Sequence, residues 1–199
     1  AAEAGQAAQL ARVAARLGIL DERLRRGPAG GRQRLALIEA SELSWLTQDR
    51  IGLDRLSLYM ALRVSTVTDD AQALYRIGWT VRRLTGGPAP LARPSCVGDL
   101  ETFLDRRARP GQGERLDEAK APSRMVEMAE REAFEDRAAG WLAMMNQAEN
   151  LHPVTRACMG FHLWHVVDLS PIDDPLEAAV TASRVAITEL APSGSMPGA

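Results

Sequence analysis

Three side chains able to hold a divalent cation recur at steps of three near the C-terminal end: His162, His165 and Asp168, with His152 just before the same segment. On an α-helix, successive steps of three turn about 60° each, so the three would share one broad face. Two imidazoles and a carboxylate can nucleate a site for zinc or another first-row metal. The spacing is not that of a metalloprotease helix, in which the histidines stand four apart with a glutamate beside the first. The alternative role is structural, with each imidazole bonded to backbone or to an acid. A second candidate pair is Glu39 and Glu42. Both fall within the arc of Leu35, Ile38, Leu43, Trp45 and Leu46 on one helix. A carboxylate on an apolar face is costly unless paired or hydrogen-bonded. Either this helix runs along the surface, or the two acids are buried carboxylates paired with an arginine or with a histidine of the 138–169 stretch, or they form a catalytic pair of acids.

The remaining chemistry is sparse. Cys158 is expected to act as a small hydrophobe on a buried helix, and Cys96 to lie in a loop. Two cysteines make no disulfide framework and match no metal motif, which favours a reducing, cytoplasmic setting. There is no phosphate-cradling glycine loop, no GxSxG elbow and no CxxC, so no catalytic residue and no cofactor is assigned. The pairs Arg25-Arg26, Arg82-Arg83 and Arg106-Arg107 would form a basic patch only if the fold gathers them.

These residues sit in a chain of 199 residues, 46% hydrophobic, with a formal charge of −2. That is enough for one ordinary core. The near-neutral balance gives no global attraction to nucleic acid or anionic membrane. No apolar run approaches the ~20 residues that cross a bilayer. Lys120 is the only lysine, so the basic residues are nearly all arginine. The first residues carry charge throughout and lack a signal-peptide core. Both ends read as trimmed.

The periodicity predicts an all-α bundle of seven to eight helices around a buried helix near 153–169, with a long mobile loop near 88–122. Glu3–Arg26 repeats Leu10, Val13, Ala14, Leu17 and Leu24 at three- and four-residue steps and stops at Gly27-Pro28. Arg32–Thr47 and Leu53–Val64 follow. Asp69–Leu84 is the best punctuated, with Thr68-Asp69-Asp70 at its start, Arg82 and Arg83 in its last turn, and Gly86-Gly87-Pro88 beyond. The spacer Val64–Thr68 is long for a helix-turn-helix, and Asp69 and Asp70 would be repelled by phosphate. A short helix is expected near Asp99–Arg107. Ser123 is expected to cap the next helix, whose apolar face shifts from Met125, Met128 and Ala129 to Phe134, Ala138, Trp141 and Met145. Pro153 suits the first turn of a helix that is apolar nearly all round, the pattern of a buried element. Asp174-Pro175-Leu176-Glu177 opens the last helix, with Leu176, Ala179, Val180, Ser183, Ile187 and Leu190 as its inner stripe. No segment has strand patterning. The expected organisation is a single helical domain over 1–190, divided into helices over 3–87, the loop with its short helix over 88–122, helices over 123–190, and a flexible tail over 191–199.

Three blocks, LDERLRRGPAG (Leu20–Gly30), DRLSLYMALRVSTVTDDAQALYRIGWTVRRLTGG (Asp54–Gly87) and WLAMMNQAENLHPVTRACMGFHLWHVVDLSPIDDPL (Trp141–Leu176), together carry a resemblance. In order and spacing they resemble a family of uncharacterised proteobacterial, rhizobial-type proteins sometimes labelled Fic-like. The resemblance implies a helical region of unknown function followed by a helix-turn-helix segment, which here would lie beyond Ala199. The HPFxxGNGR-type loop of true Fic enzymes and a clear copy of their inhibitory motif are absent, so AMP transfer is not implied. The leading expectation is a non-enzymatic regulatory or protein-interaction module, accessory to DNA binding only through a segment outside these residues. A protein partner or self-association through the N-terminal helix is expected, and no membrane. The competing expectation is a small-molecule or metal-binding protein, or an enzyme, using the His162/His165/Asp168 face.

Overall fold

The computed structural model describes residues 2–28, 30–62, 68–86, 96–106, 121–170 and 175–190. They form eight helices and, among the described residues, no strand: α1 Ala2–Arg26, α2 Gly31–Leu43, α3 Leu53–Leu62, α4 Thr68–Thr85, α5 Val97–Phe103, α6 Ala121–Gln147, α7 Pro153–Val166 and α8 Leu176–Leu190. A 3-10 turn over Ser44–Thr47 extends α2. The all-helical bundle follows the expected pattern closely, because its start and stop signals are local. Gly27-Pro28 follows α1, Pro153 sits in the first turn of α7, and Gly86 at φ +137° closes α4 in a conformation that favours glycine. Most of the loop expected over 88–122, the tail 191–199 and Asp174 lie outside the described residues. Ser123 falls inside α6 rather than at its cap, since the helix already begins at Ala121. No helix among the described residues is long and apolar enough to cross a membrane.

Two apolar clusters make the interior. Ala36, Ala40, Ile51, Leu56, Ala73, Leu74, Ile77, Val81 and Leu176 form one, built from α2, α3 and α4 with the first residue of α8. The other gathers Trp79 of α4, Leu100 and Phe103 of α5, the C-terminal half of α6, and α7 with α8. Leu43 and Leu84 pack against both. Helix α4 therefore serves two cores, and its run Ile77–Val81 is buried on every side. A Cβ at Gly78 would stand 2.9 Å from the ring of Tyr59 on α3, so any larger residue there must displace that ring.

The central position expected for α7 needs correction. It pairs most extensively with α8 and also touches α6 and α1. Only one face is buried, through Arg156, Ala157, Gly160 and Trp164. The other is open: Cys158, His162 and His165 are exposed, and Val166 is 74% exposed. A sequence apolar around the whole wheel permits burial on any side but does not enforce it; packing partners decide. The stripe read on α2 is likewise displaced. The buried positions are Ala36, Ala40 and Ser44, spaced four apart, while Ile38, Trp45 and Leu46 face outward. The small side chains let α2 lie close against α4, its most extensive partner. On α6 only the second of the two expected faces is buried; Ala129 of the first is exposed, and the Met125 side chain lies outside the described ones. Phe134, Ala138, Trp141, Leu142 and Met145 are buried, whereas Met128 is exposed.

Trp141 and Trp164 are the centre of the second cluster. Their rings meet edge to face at 5.4 Å, and the Trp141 indole N–H donates to the Gly160 carbonyl at 3.0 Å. Trp164 donates to the Ser170 hydroxyl at 2.8 Å, and that hydroxyl donates to the Glu177 carboxylate. Arg106 closes the arrangement, donating to Leu169 O at 2.9 Å and to Glu177 while lying 4.7 Å over the Phe134 ring. One guanidinium thus ties the end of α5 to α6 and to the α7–α8 connection.

Candidate functional site

The sequence candidates separate in space and in environment. His162 and His165 are both exposed and flank Phe161, with ring separations of 5.5 Å and 4.9 Å. Asp168, also exposed, stands beyond the last turn of α7 with φ +52°. Its N–H donates to the His165 carbonyl at 3.3 Å, so its backbone closes the helix rather than extending the histidine face. Among the described residues, no group of three or more His, Cys, Asp or Glu side chains is placed to hold a metal ion. His152 has a structural task. Its Nδ1 accepts from the Val154 N–H at 3.2 Å, and so satisfies one of the otherwise orphaned donors at the start of α7.

That helix start also holds a contact that no local pattern announces. The His152 N–H donates to Oε1 of Glu3 at 3.0 Å, across 149 positions of sequence. A hydrogen bond from the Thr155 side chain and then that backbone bond hold the Glu3 carboxyl below the usual carboxylate range. Because the folded value is depressed, the contact stabilises fully above the unfolded pKa and is lost as pH falls through the folded one. The melting temperatures of the wild-type chain and Glu3→Gln should therefore differ most above about pH 5 and converge in acid. A constant gap in a pH series of thermal melts would contradict this role.

Glu39 and Glu42 have different environments. Glu42 is exposed, whereas Glu39 is partly buried against α8 and accepts from Ser183 Oγ at 3.4 Å. Burial pushes the Glu39 carboxyl up, with the Ser183 bond opposing that shift. The expected costly carboxylate on an apolar face is thus one residue, and its polar neighbour is a serine.

The arginine pairs are dispersed into separate contacts. Arg25 and Arg26 pair with Asp21 and Glu22 on their own helix. Arg83 is buried, paired with Asp105 at 2.5 Å and set against the rings of Trp79 and Phe103. Arg106 is held as described above, and Arg107 lies outside the described residues. Both cysteines are free and exposed, which corrects the expectation that Cys158 is a buried hydrophobe. It stands on the open side of α7.

The most developed surface feature lies on the helix whose apolar arc the sequence left either along the surface or buried with its two acids. After α2 the chain passes through the 3-10 turn and a tight connection to α3. Ser41 Oγ donates to Ile51 O at 2.8 Å, while Ser44 Oγ donates to Ser41 O at 2.6 Å and accepts from Ile51 N–H at 2.9 Å. The Asp49 carboxylate accepts from Thr47 Oγ1 at 2.7 Å and from Arg76 of α4 at 2.8 Å. These bonds hold Gln48 and Arg50 at φ +61° and +48°, left-handed conformations that cost non-glycine residues about 1–2 kcal/mol each. The outcome is a fixed presentation of Trp45, 58% exposed, with the Arg50 guanidinium 4.9 Å over its ring. Leu46 and Ile38 are exposed on the same element, and Leu53, Leu58 and Leu62 on α3. A local signal existed: two serines three apart before an Asp-Arg-Ile-Gly turn. It read as the end of a helix rather than as a built support.

No protein-family model, no curated protein and no solved structure matches the chain.

Proposed function

We propose that the chain is a non-enzymatic regulatory module that binds a protein partner through the outer surface of α2, its 3-10 turn and α3. The observation that supports this most directly is Trp45, left largely in the open while a knot of serine, threonine, aspartate and arginine bonds fixes the backbone around it. A large aromatic with an arginine stacked on it is the kind of anchor on which binding energy concentrates. Holding that anchor still before binding reduces the ordering cost of association. Leu58 and Leu62, one turn apart on the outside of α3, supply further apolar area. In the regulatory setting implied by the family resemblance, this surface would couple to a DNA-binding segment borne outside residues 1–199.

The test is cross-linking in the native cell, comparing the wild-type chain with Trp45→Glu and Leu62→Glu. Both variants should melt as the wild type does, since both positions are exposed. Each should lose about 2 kcal/mol or more of binding, roughly 30-fold in affinity, if it removes an anchor. A discrete cross-linked species present with the wild type and lost with both variants is the expected result. Identical cross-linked sets for all three proteins would overturn the proposal.

A further inference from the structure

Helix α1 rests on the bundle along one side, touching α7 and α8. None of its described side chains is fully buried. Between its C-terminal half and the facing turns of α2 and α8 lies a groove of about 290 Å³. Leucines 17, 20, 24 and 35 with Ala186 and Ile187 make its apolar wall. Its polar groups are Asp21, Glu39 and Ser183, and no basic side chain lines it. The two acids are not equivalent. Asp21 is answered by Arg25 on the next turn at 3.2 Å. Glu39 has the 3.4 Å bond from Ser183 and, among the described residues, no ion pair. Arg32 and Arg184 stand close enough to repel one another, but neither lines the groove.

We propose that this groove is a binding site for a small organic cation, an amine or quaternary ammonium carrying a compact apolar body. The cationic end would meet Glu39 and the body would lie on the leucines. This site shares no residue with the α2–α3 surface and does not depend on that proposal. Partial burial makes the Glu39 charge unfavourable, and an opposite charge placed beside it offsets that penalty. An anionic ligand would meet two carboxylates, and a neutral one would leave Glu39 uncompensated. The volume lies near the lower end of small-molecule pockets, which begin at about 300 Å³, so the ligand is of fragment size.

Hexylamine, hexanol and hexanoate, matched in length and differing in charge, test this by NMR titration near neutral pH at fixed ionic strength. Hexylamine should saturate a single site, with backbone shifts confined to residues 17–24, 35–39 and 183–187. Hexanol should bind at least about tenfold more weakly, a difference of about 1.4 kcal/mol, and hexanoate more weakly still. Glu39→Gln, nearly isosteric, should remove the preference for amine over alcohol. Asp21→Asn should leave most of it. Ile187→Trp, filling the groove from a partly exposed position, should weaken amine and alcohol alike, which provides a second test should Glu39→Gln perturb the fold. Equal binding of amine and alcohol, an amine preference that survives Glu39→Gln, shifts centred elsewhere, or no saturation in the millimolar range would each overturn the proposal.

Discussion

Replacing Trp141 by alanine is expected to cost about 3–5 kcal/mol of folding stability, the range for truncating a large buried aromatic. The ring is fully buried. Three losses coincide. The first is the apolar area and the cavity left among Met145, Gly160 and Trp164. The second is the edge contact with Trp164 at 5.4 Å, worth about 0.5–1.5 kcal/mol in such pairs. The third is the buried indole donor to Gly160 O. The surroundings are tightly packed, since a Cβ at Gly160 would already meet Met145 Cε at 3.1 Å and Trp141 at 3.4 Å. Domain stabilities are typically about 5–15 kcal/mol, so the variant should have much less reserve. Trp141→Phe keeps most of the area and should lose less. Trp45→Ala is the control: it removes an equally large ring from an exposed position and should change stability by about 0.5 kcal/mol or little more. Urea unfolding of the three variants measures the order. Equal midpoints for Trp141→Ala and Trp45→Ala would refute the placement of Trp141 at the centre of the second cluster.

The second large effect concerns α2, where substitution by a larger residue should do more harm than truncation. Ala40 is fully buried in the cluster shared with α4. Ala40→Leu keeps helix propensity nearly unchanged, yet has no room, and overpacking of a tight core costs about 1–3 kcal/mol or more. Ile38→Ala removes a larger apolar side chain two residues away. That side chain is half exposed, and its loss should cost under about 1 kcal/mol. Hydropathy along the helix predicts the reverse order, since Ile38 is the more apolar residue. A thermal melt in which Ile38→Ala falls further than Ala40→Leu would restore the face read from the sequence and remove the outward Trp45 surface with it.

Both results bear on how binding surfaces are recognised in such a chain. Weighing side chains by hydropathy groups Ile38 and Trp45 with Glu39 on one arc and does not decide whether that arc is buried. Weighing them by size puts Ala36 and Ala40 against α4 and turns Glu39 toward α8. The Glu39 charge, unfavourable in a half-buried setting, also gives a check independent of ligand. Its folded pKa is raised, so its contribution to stability is present below the unfolded pKa and is lost as pH rises through the folded value. Near neutral pH, Glu39→Gln should therefore not lower the melting temperature.

The helical class and the placement of the helices were legible along the chain. Those features rest on interactions within a few residues: proline and glycine at the ends of α1, α4 and α7, and the three-to-four periodicity that selects helix over strand. The choice of buried face lay beyond it. On α7 an apolar residue is available in nearly every direction, yet Val166 stands in the open and Arg156 is buried. The polar contacts were equally out of reach. Glu3 meets His152 across 149 positions, and Arg106 meets Glu177 across 71. Only the packed bundle brings such groups together, because separation along the chain carries no information about proximity once helices fold back on one another.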